Sequence, residues 1–141
     1  MATTKEALIQ GLNQDLAHEL QAVLVYLQQT SMALGLEGEE IRELLQPDIA
    51  DEIGHAKFLA EKIVALGGEP RFEPGAFEVK TDVHEMLAYD LQLEQEAVAD
   101  YKKRARQADE LGELGLKVRL EEILAEETEH AEGLERILRG L

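Results

Sequence analysis

Four stretches of the chain place apolar residues three or four positions apart, and each stretch is interrupted near its middle by carboxylates. In the last, Leu116, Leu120, Ile123, Glu127, His130, Leu134, Ile137 and Leu141 alternate spacings of four and three, so they share one helical face. Ile41, Leu45, Asp48, Glu52, His55, Leu59, Lys62 and Leu66 form a second such seam. Val83, Leu87, Asp90, Glu94, Ala97, Tyr101 and Ala105 form a third, and Leu12, Leu16, Glu19, Val23, Tyr26 and Thr30 a fourth. Strand-type alternation is essentially missing, so the prediction is all-α.

The first helix is predicted to start at Thr3 or Thr4, with Thr3 and Glu6 as a capping box, and to reach about Leu34. Gly35 to Gly38 read as a short connection. The second helix then runs from about Glu39 to Leu66, where Gly67 and Gly68 stop it, and Pro47 is expected to kink it. Asp82 and Glu85 can cap a third helix ending near Asp109. After a break at Gly112 or Gly115, a fourth continues to about Arg139. Residues 67–80 lack helical periodicity and, when extended, can reach roughly 46 Å, about the length of one helix. Two antiparallel hairpins joined by one long crossover, in a single domain over residues 1–141, are therefore expected. The two hairpins look loosely similar, without a convincing tandem repeat.

Composition narrows the function. Cysteine is absent, which excludes disulfides, thiolate sites and iron–sulfur clusters. Thirty acidic residues against 14 basic give a formal charge of −16, which disfavours nucleic acid and attracts cations. No apolar run is long enough to span a bilayer, and residues 1–6 do not resemble a signal peptide. A cytoplasmic address is the expectation.

A buried, unpartnered carboxylate costs several kcal/mol, so glutamates in the middle of four core seams need an explanation. Glu19 lies 16 residues before Gly35, and Glu52 lies 14 after Gly38, so a hairpin brings them to one height. Glu94 and Glu127 flank Gly112 in the same way. Four converging carboxylates repel one another, and two divalent cations would cancel their charge. Glu52-x-x-His55 and Glu127-x-x-His130 each put a carboxylate and an imidazole one turn apart, giving one imidazole per metal. The candidate ligands, and with them the candidate catalytic residues, are Glu19, Glu52, His55, Glu94, Glu127 and His130. Oxygen-rich donors with two imidazoles suit two iron ions, with manganese as the alternative. Glu52 and Glu127 are expected to bridge, and Glu19 and Glu94 to be terminal.

Tyr26 and Tyr101 lie two turns along from Glu19 and Glu94. Either could donate to a ligand carboxylate, although for Tyr101 an ordinary core position is the expectation. Asp48 and Asp90 could orient the ligand imidazoles. His18 and His84 read as surface residues, and Glu121, Glu122, Glu126, Glu129 and Glu132 as a wet helix face.

Leu16 to Tyr26, Asp51 to Ala56, Asp90 to Glu94 and Glu126 to His130 resemble the four ligand helices of bacterioferritin in order and spacing, over nearly the whole chain. The resemblance implies a ferroxidase centre that oxidises Fe(II) with O2 or H2O2 and serves iron storage or detoxification within a hollow homo-oligomer. In that family a Met after the second-helix Glu ligates haem. Here Ile53 stands there, so haem is not expected. The family continues into a short fifth helix, whereas this sequence ends at Leu141, so the expected oligomer ranges from a dimer to a cage. Of the family's inner-surface iron ligands, only Asp51 is matched. Two alternatives stand beside this reading. One is a rubrerythrin-like peroxidase without a rubredoxin domain, although Ala97 replaces that family's extra Glu; the other is a non-catalytic metal-binding bundle.

Overall fold

Capping chemistry starts the first and third helices. Thr4 Oγ1 accepts the amide of Ala7, and Asp82 accepts that of Glu85 at 3.2 Å. Thr4 is thus the cap, while the expected partner Thr3 instead donates to Glu110. The computed structural model describes residues 2–140, among which lie four helices and no strand: α1 (Lys5–Met32), α2 (Gly35–Ala65), α3 (Val83–Glu110) and α4 (Leu114–Arg139). Leu141, the last position of the seam predicted for the fourth helix, lies outside the described residues.

The first hairpin turn is tighter than predicted. Only Ala33 and Leu34 separate α1 from α2, and Gly38 is helical, its amide donating to the Leu34 carbonyl at 3.2 Å. Gly38 works here by size rather than flexibility: a Cβ would sit 2.5 Å from the Ala33 carbonyl carbon. Left-handed backbone occurs at Gly35 and Gly112, both at φ +73°, one at each hairpin turn, and at Gly67, at φ +90°, just after α2. α2 runs through Pro47 as one helix.

The helices have 28, 31, 28 and 26 residues, or about 39–47 Å each. They pack as antiparallel pairs, α1 with α2 and α3 with α4, and the crossover returns the chain along the bundle. Hydrogen bonds clip it to α1: Asn13 Nδ2 to the Glu69 carbonyl, the Arg71 amide to Asn13 Oδ1, the Gly75 amide to the Ala17 carbonyl, and Gln21 Nε2 to the Ala76 carbonyl. Among the described residues, no helix is long and apolar enough to cross a membrane.

The core divides into two apolar blocks. One contains Leu12, Leu16, Leu59, Ile63, Tyr101, Leu116 and Leu120, and the other Leu87, Leu134, Tyr26, Ile41 and Leu45, with Leu91 and Leu138 packed against it. Adding 75 to a residue number in the first hairpin gives its counterpart in the second. Leu12 becomes Leu87, Tyr26 becomes Tyr101, Leu45 becomes Leu120, Leu59 becomes Leu134. The loose similarity between hairpins is therefore a position-by-position correspondence concentrated on inward-facing residues. The predicted seams are mostly buried: Val23, Thr30, Asp48, Lys62, Val83 and His130 are only half-buried, and Ile137 is exposed.

Candidate metal centre

Between the two apolar blocks lies a polar layer. Each helix contributes one fully buried glutamate: Glu19 from α1, Glu52 from α2, Glu94 from α3 and Glu127 from α4. The imidazoles of His55 and His130 close the layer from α2 and α4, one turn beyond their glutamates. All six predicted residues meet here, in two overlapping groups: Glu19, Glu52, His55 and Glu127 form one, and Glu52, Glu94, Glu127 and His130 the other. Glu52 and Glu127 belong to both. Glu52 Oε1 lies 3.7 Å from His55 Nδ1 and 3.4 Å from His130 Nδ1, and Glu127 Oε1 lies 3.3 and 3.5 Å from the same atoms. Glu19 faces only His55, at 3.5 Å, and Glu94 only His130, at 3.6 Å.

The fit to cations follows from what these atoms lack. Glu19 Oε2, Glu94 Oε2, both oxygens of Glu52 and Glu127, and Nδ1 of both histidines are buried without a hydrogen-bond partner. Burial, then the neighbouring glutamates, push the Glu52 carboxyl far above its ordinary range. Burial pushes Glu94 to about 7, with His130 opposing the rise. Burial alone would lower the His55 imidazole, but Glu127, Glu19 and Glu126 outweigh it and raise it to about 11. His130 is lifted to about 10 in the same way, chiefly by Glu94. Protons thus hold the layer together where cations could. Four carboxylates and two inward-facing imidazole nitrogens suit a pair of divalent ions with two shared carboxylates.

The surroundings repeat the twofold pattern. Tyr101 on α3 donates to Glu19 Oε1 on α1 at 2.5 Å, and Tyr26 on α1 donates to Glu94 Oε1 on α3. Tyr101 is therefore a partner of a candidate ligand rather than an ordinary core tyrosine. His55 Nε2 meets Glu126 Oε2 on α4 at 2.5 Å, and His130 Nε2 meets Asp51 Oδ2 on α2 at 3.1 Å. Each imidazole is thus held by the acidic residue just before the glutamate of the other motif, which turns Nδ1 inward. Glu126 is exposed, as expected of a wet helix face, but its carboxylate tip also holds His55, and the pattern acidic-Glu-x-x-His, written twice, was the available signal for that contact. Asp48 Oδ1 also reaches His130 Nε2, at 3.3 Å, as expected. Asp90 does not orient an imidazole; it is buried with neither oxygen hydrogen-bonded. His18 is half-buried, its Nε2 2.9 Å from the Leu93 carbonyl, and His84 is exposed.

Asp48, Asp51 and His130 also lie close enough to suggest a third cation position. An imidazole whose Nδ1 serves the centre carries its proton on Nε2, so that nitrogen donates to the aspartates instead.

A model of the ferritin-like domain matches residues 9–141. Bacterioferritin from Mycobacterium leprae is 30% identical over 125 residues, covering 88% of this chain and 79% of that protein. A bacterioferritin from Mycobacterium tuberculosis is 27% identical over the same shares. Among solved structures, a ferritin-like diiron-carboxylate protein from Bacillus anthracis superposes with a TM-score of 0.94 at 40% identity, over 98% of this chain and 99% of that one. Rhodobacter capsulatus bacterioferritin, with a metal-free dinuclear site and haem iron, superposes at 0.82 with 25% identity, over 99% and 87%.

Proposed function

The chain belongs to the ferritin-like domain family, and from that premise we propose that it is a ferroxidase-type di-iron carboxylate protein serving iron storage or detoxification. The observation that carries this reading is the pair of buried ligand sets that share Glu52 and Glu127 and leave their inward atoms without protein partners. In this reading Glu52 and Glu127 would serve both positions, with Glu19 and His55 completing one and Glu94 and His130 the other. Mn(II) suits the same donors. Relatives named bacterioferritin and diiron-carboxylate protein support iron as the cation.

When bound, two Fe(II) ions supply one electron each to the oxidant; H2O2, taking those two electrons and two protons, leaves as two waters. The chain's own residues set the conditions. Four carboxylates offset the charge of two divalent ions, so a buried pair is accommodated without a large net charge. Tyr26 and Tyr101 hold one oxygen of each terminal glutamate and leave the other to face the centre. Asp51 and Glu126 fix the histidine tautomers. Ile53, in the position after Glu52, is exposed and offers no thioether, which supports a chain without haem.

Anaerobic titration should show two Fe(II) per chain, oxidised rapidly when O2 or H2O2 is added. Glu94→Ala and His130→Ala should each abolish the fast phase by stopped-flow absorbance while keeping wild-type helicity. Unchanged kinetics in both would refute the assignment. Native mass after loading separates storage, with a mineral-filled oligomer, from turnover, with two irons per chain.

A further inference from the structure

The two halves of the centre obey the 75-residue correspondence in every ligand, and they break it in the residues behind the ligands. One turn before Glu19 stands Asp15; one turn before Glu94 stands its counterpart Asp90. Both are buried, at 2% and 0% exposure. Asp15 is gripped by Arg104, whose Nε lies 2.8 Å from Oδ2 and Nη2 3.1 Å from Oδ1. The counterpart of Arg104 is Gln29, which is buried and uncharged, and neither Asp90 oxygen has a hydrogen-bond partner. The exchange is matched by a second one. Gly11, which leaves the space that the Arg104 guanidinium fills, has Met86 as its counterpart. Asp48, 3.3 Å from His130, corresponds to the apolar Ile123, so His55 has no equivalent of it.

Above about pH 8, where Asp90 is ionised along with the other carboxylates, the residues behind the Glu19–His55 half (Asp15, Arg104, Glu126) sum to −1. Those behind the Glu94–His130 half (Asp90, Asp48, Asp51) sum to −3. The ligands are equivalent, so this buried difference decides which position attracts a cation more strongly. Building on the two-metal reading above, we propose that the centre fills in order: the position of Glu94 and His130 takes the first divalent ion, and Arg104 holds the Glu19–His55 position back as the second.

The test uses Co(II) and the full metal-free chain at about pH 8.5, above the Asp90 value of about 8, so that the wild-type chain carries the charge that Asp90→Asn removes. Crystals grown with one equivalent are examined at the cobalt absorption edge, and stepwise constants are measured by calorimetry. Anomalous density should favour the Glu94–His130 half by about tenfold or more. Arg104→Gln and Asp90→Asn should each narrow the ratio, and the double variant, with −2 behind each half, should bring it to within about twofold. Asp90→Asn removes charge without leaving Asp15 unpaired, so the test survives if Arg104→Gln fails to fold. Equal occupancy in the wild-type chain, filling of the Glu19–His55 half first, or a ratio unmoved by Asp90→Asn overturns the proposal. Failure to bind Co(II) in either half overturns the two-metal reading itself, whereas two ions bound with equal constants overturn only the order.

Discussion

Gly11 and Arg104 occupy one volume between them. A Cβ built on Gly11 would lie 1.8 Å from Arg104 Nη1 and 2.2 Å from Cζ, and the guanidinium is held by Asp15 and by Gln107 at 2.5 Å. Gly11→Ala must therefore displace a buried cation from its carboxylate, and it should cost about 2–4 kcal/mol in urea unfolding. Combined with Arg104→Gln, the same change should cost much less than the sum of the two single variants, because the clash is gone. Additive losses would mean that Gly11 is needed for some other reason. The sequence carried no trace of this pair. Arg104 sits one turn from Tyr101 in a stretch of charged residues, and a long cation there ordinarily extends to water. Glu126 was hidden for the same reason, since its side chain is half exposed and only its tip turns toward His55. Glu19, Glu52, Glu94 and Glu127 were legible because a carboxylate in an apolar seam violates the pattern, and a carboxylate on a polar face does not.

At the level of elements, the four helices and their order were readable from periodicity because each must bury one continuous stripe. The boundaries were readable where capping chemistry is local, as at Asp82, and less so where it is not. Gly38 looked like part of a loop and is instead a helical residue pressed on the Ala33 carbonyl, a tertiary contact that composition cannot announce. The crossover was readable as a length but not as a path: its docking uses Asn13 and Gln21, polar residues on the outer face of α1 that have no period of their own. The duplication showed only as a loose similarity because solvent-facing positions mostly differ between the hairpins, while inward ones agree at most of the ligand and apolar seam positions. Only the assembled core displays which residues should be compared.

The whole bundle carries the electrostatic cost of its middle layer. Without metal, burial holds the Asp90 carboxyl up at about 8 and Glu94 at about 7, against ordinary values of 3.8 and 4.5. The folded chain therefore keeps protons that the unfolded chain releases, and stability falls as pH rises through that window. His55 and His130, raised from 6.5 to about 11 and about 10, act with the same sign: their contribution is complete below 6.5 and is lost toward 10. Calorimetry in EDTA should accordingly give a Tm that declines steadily from about pH 5 to about pH 9. Divalent metal replaces those protons, so saturating Mn(II) should raise Tm most at the alkaline end. A Tm in EDTA that rises with pH would contradict the arrangement of charges described here.

Residues 66–82 contribute no ligand to the centre, since each hairpin supplies three of its six ligands and each apolar block draws on both hairpins. In effect the crossover is a leash: clipped to α1 by its four hydrogen bonds, it keeps the two hairpins at high local concentration but carries no part of the centre. Arg71 is exposed on that leash. A single tryptic cut after it should leave two fragments that travel together on a sizing column and still take up two metal ions. They should part only on dilution or when a chelator removes what they hold in common.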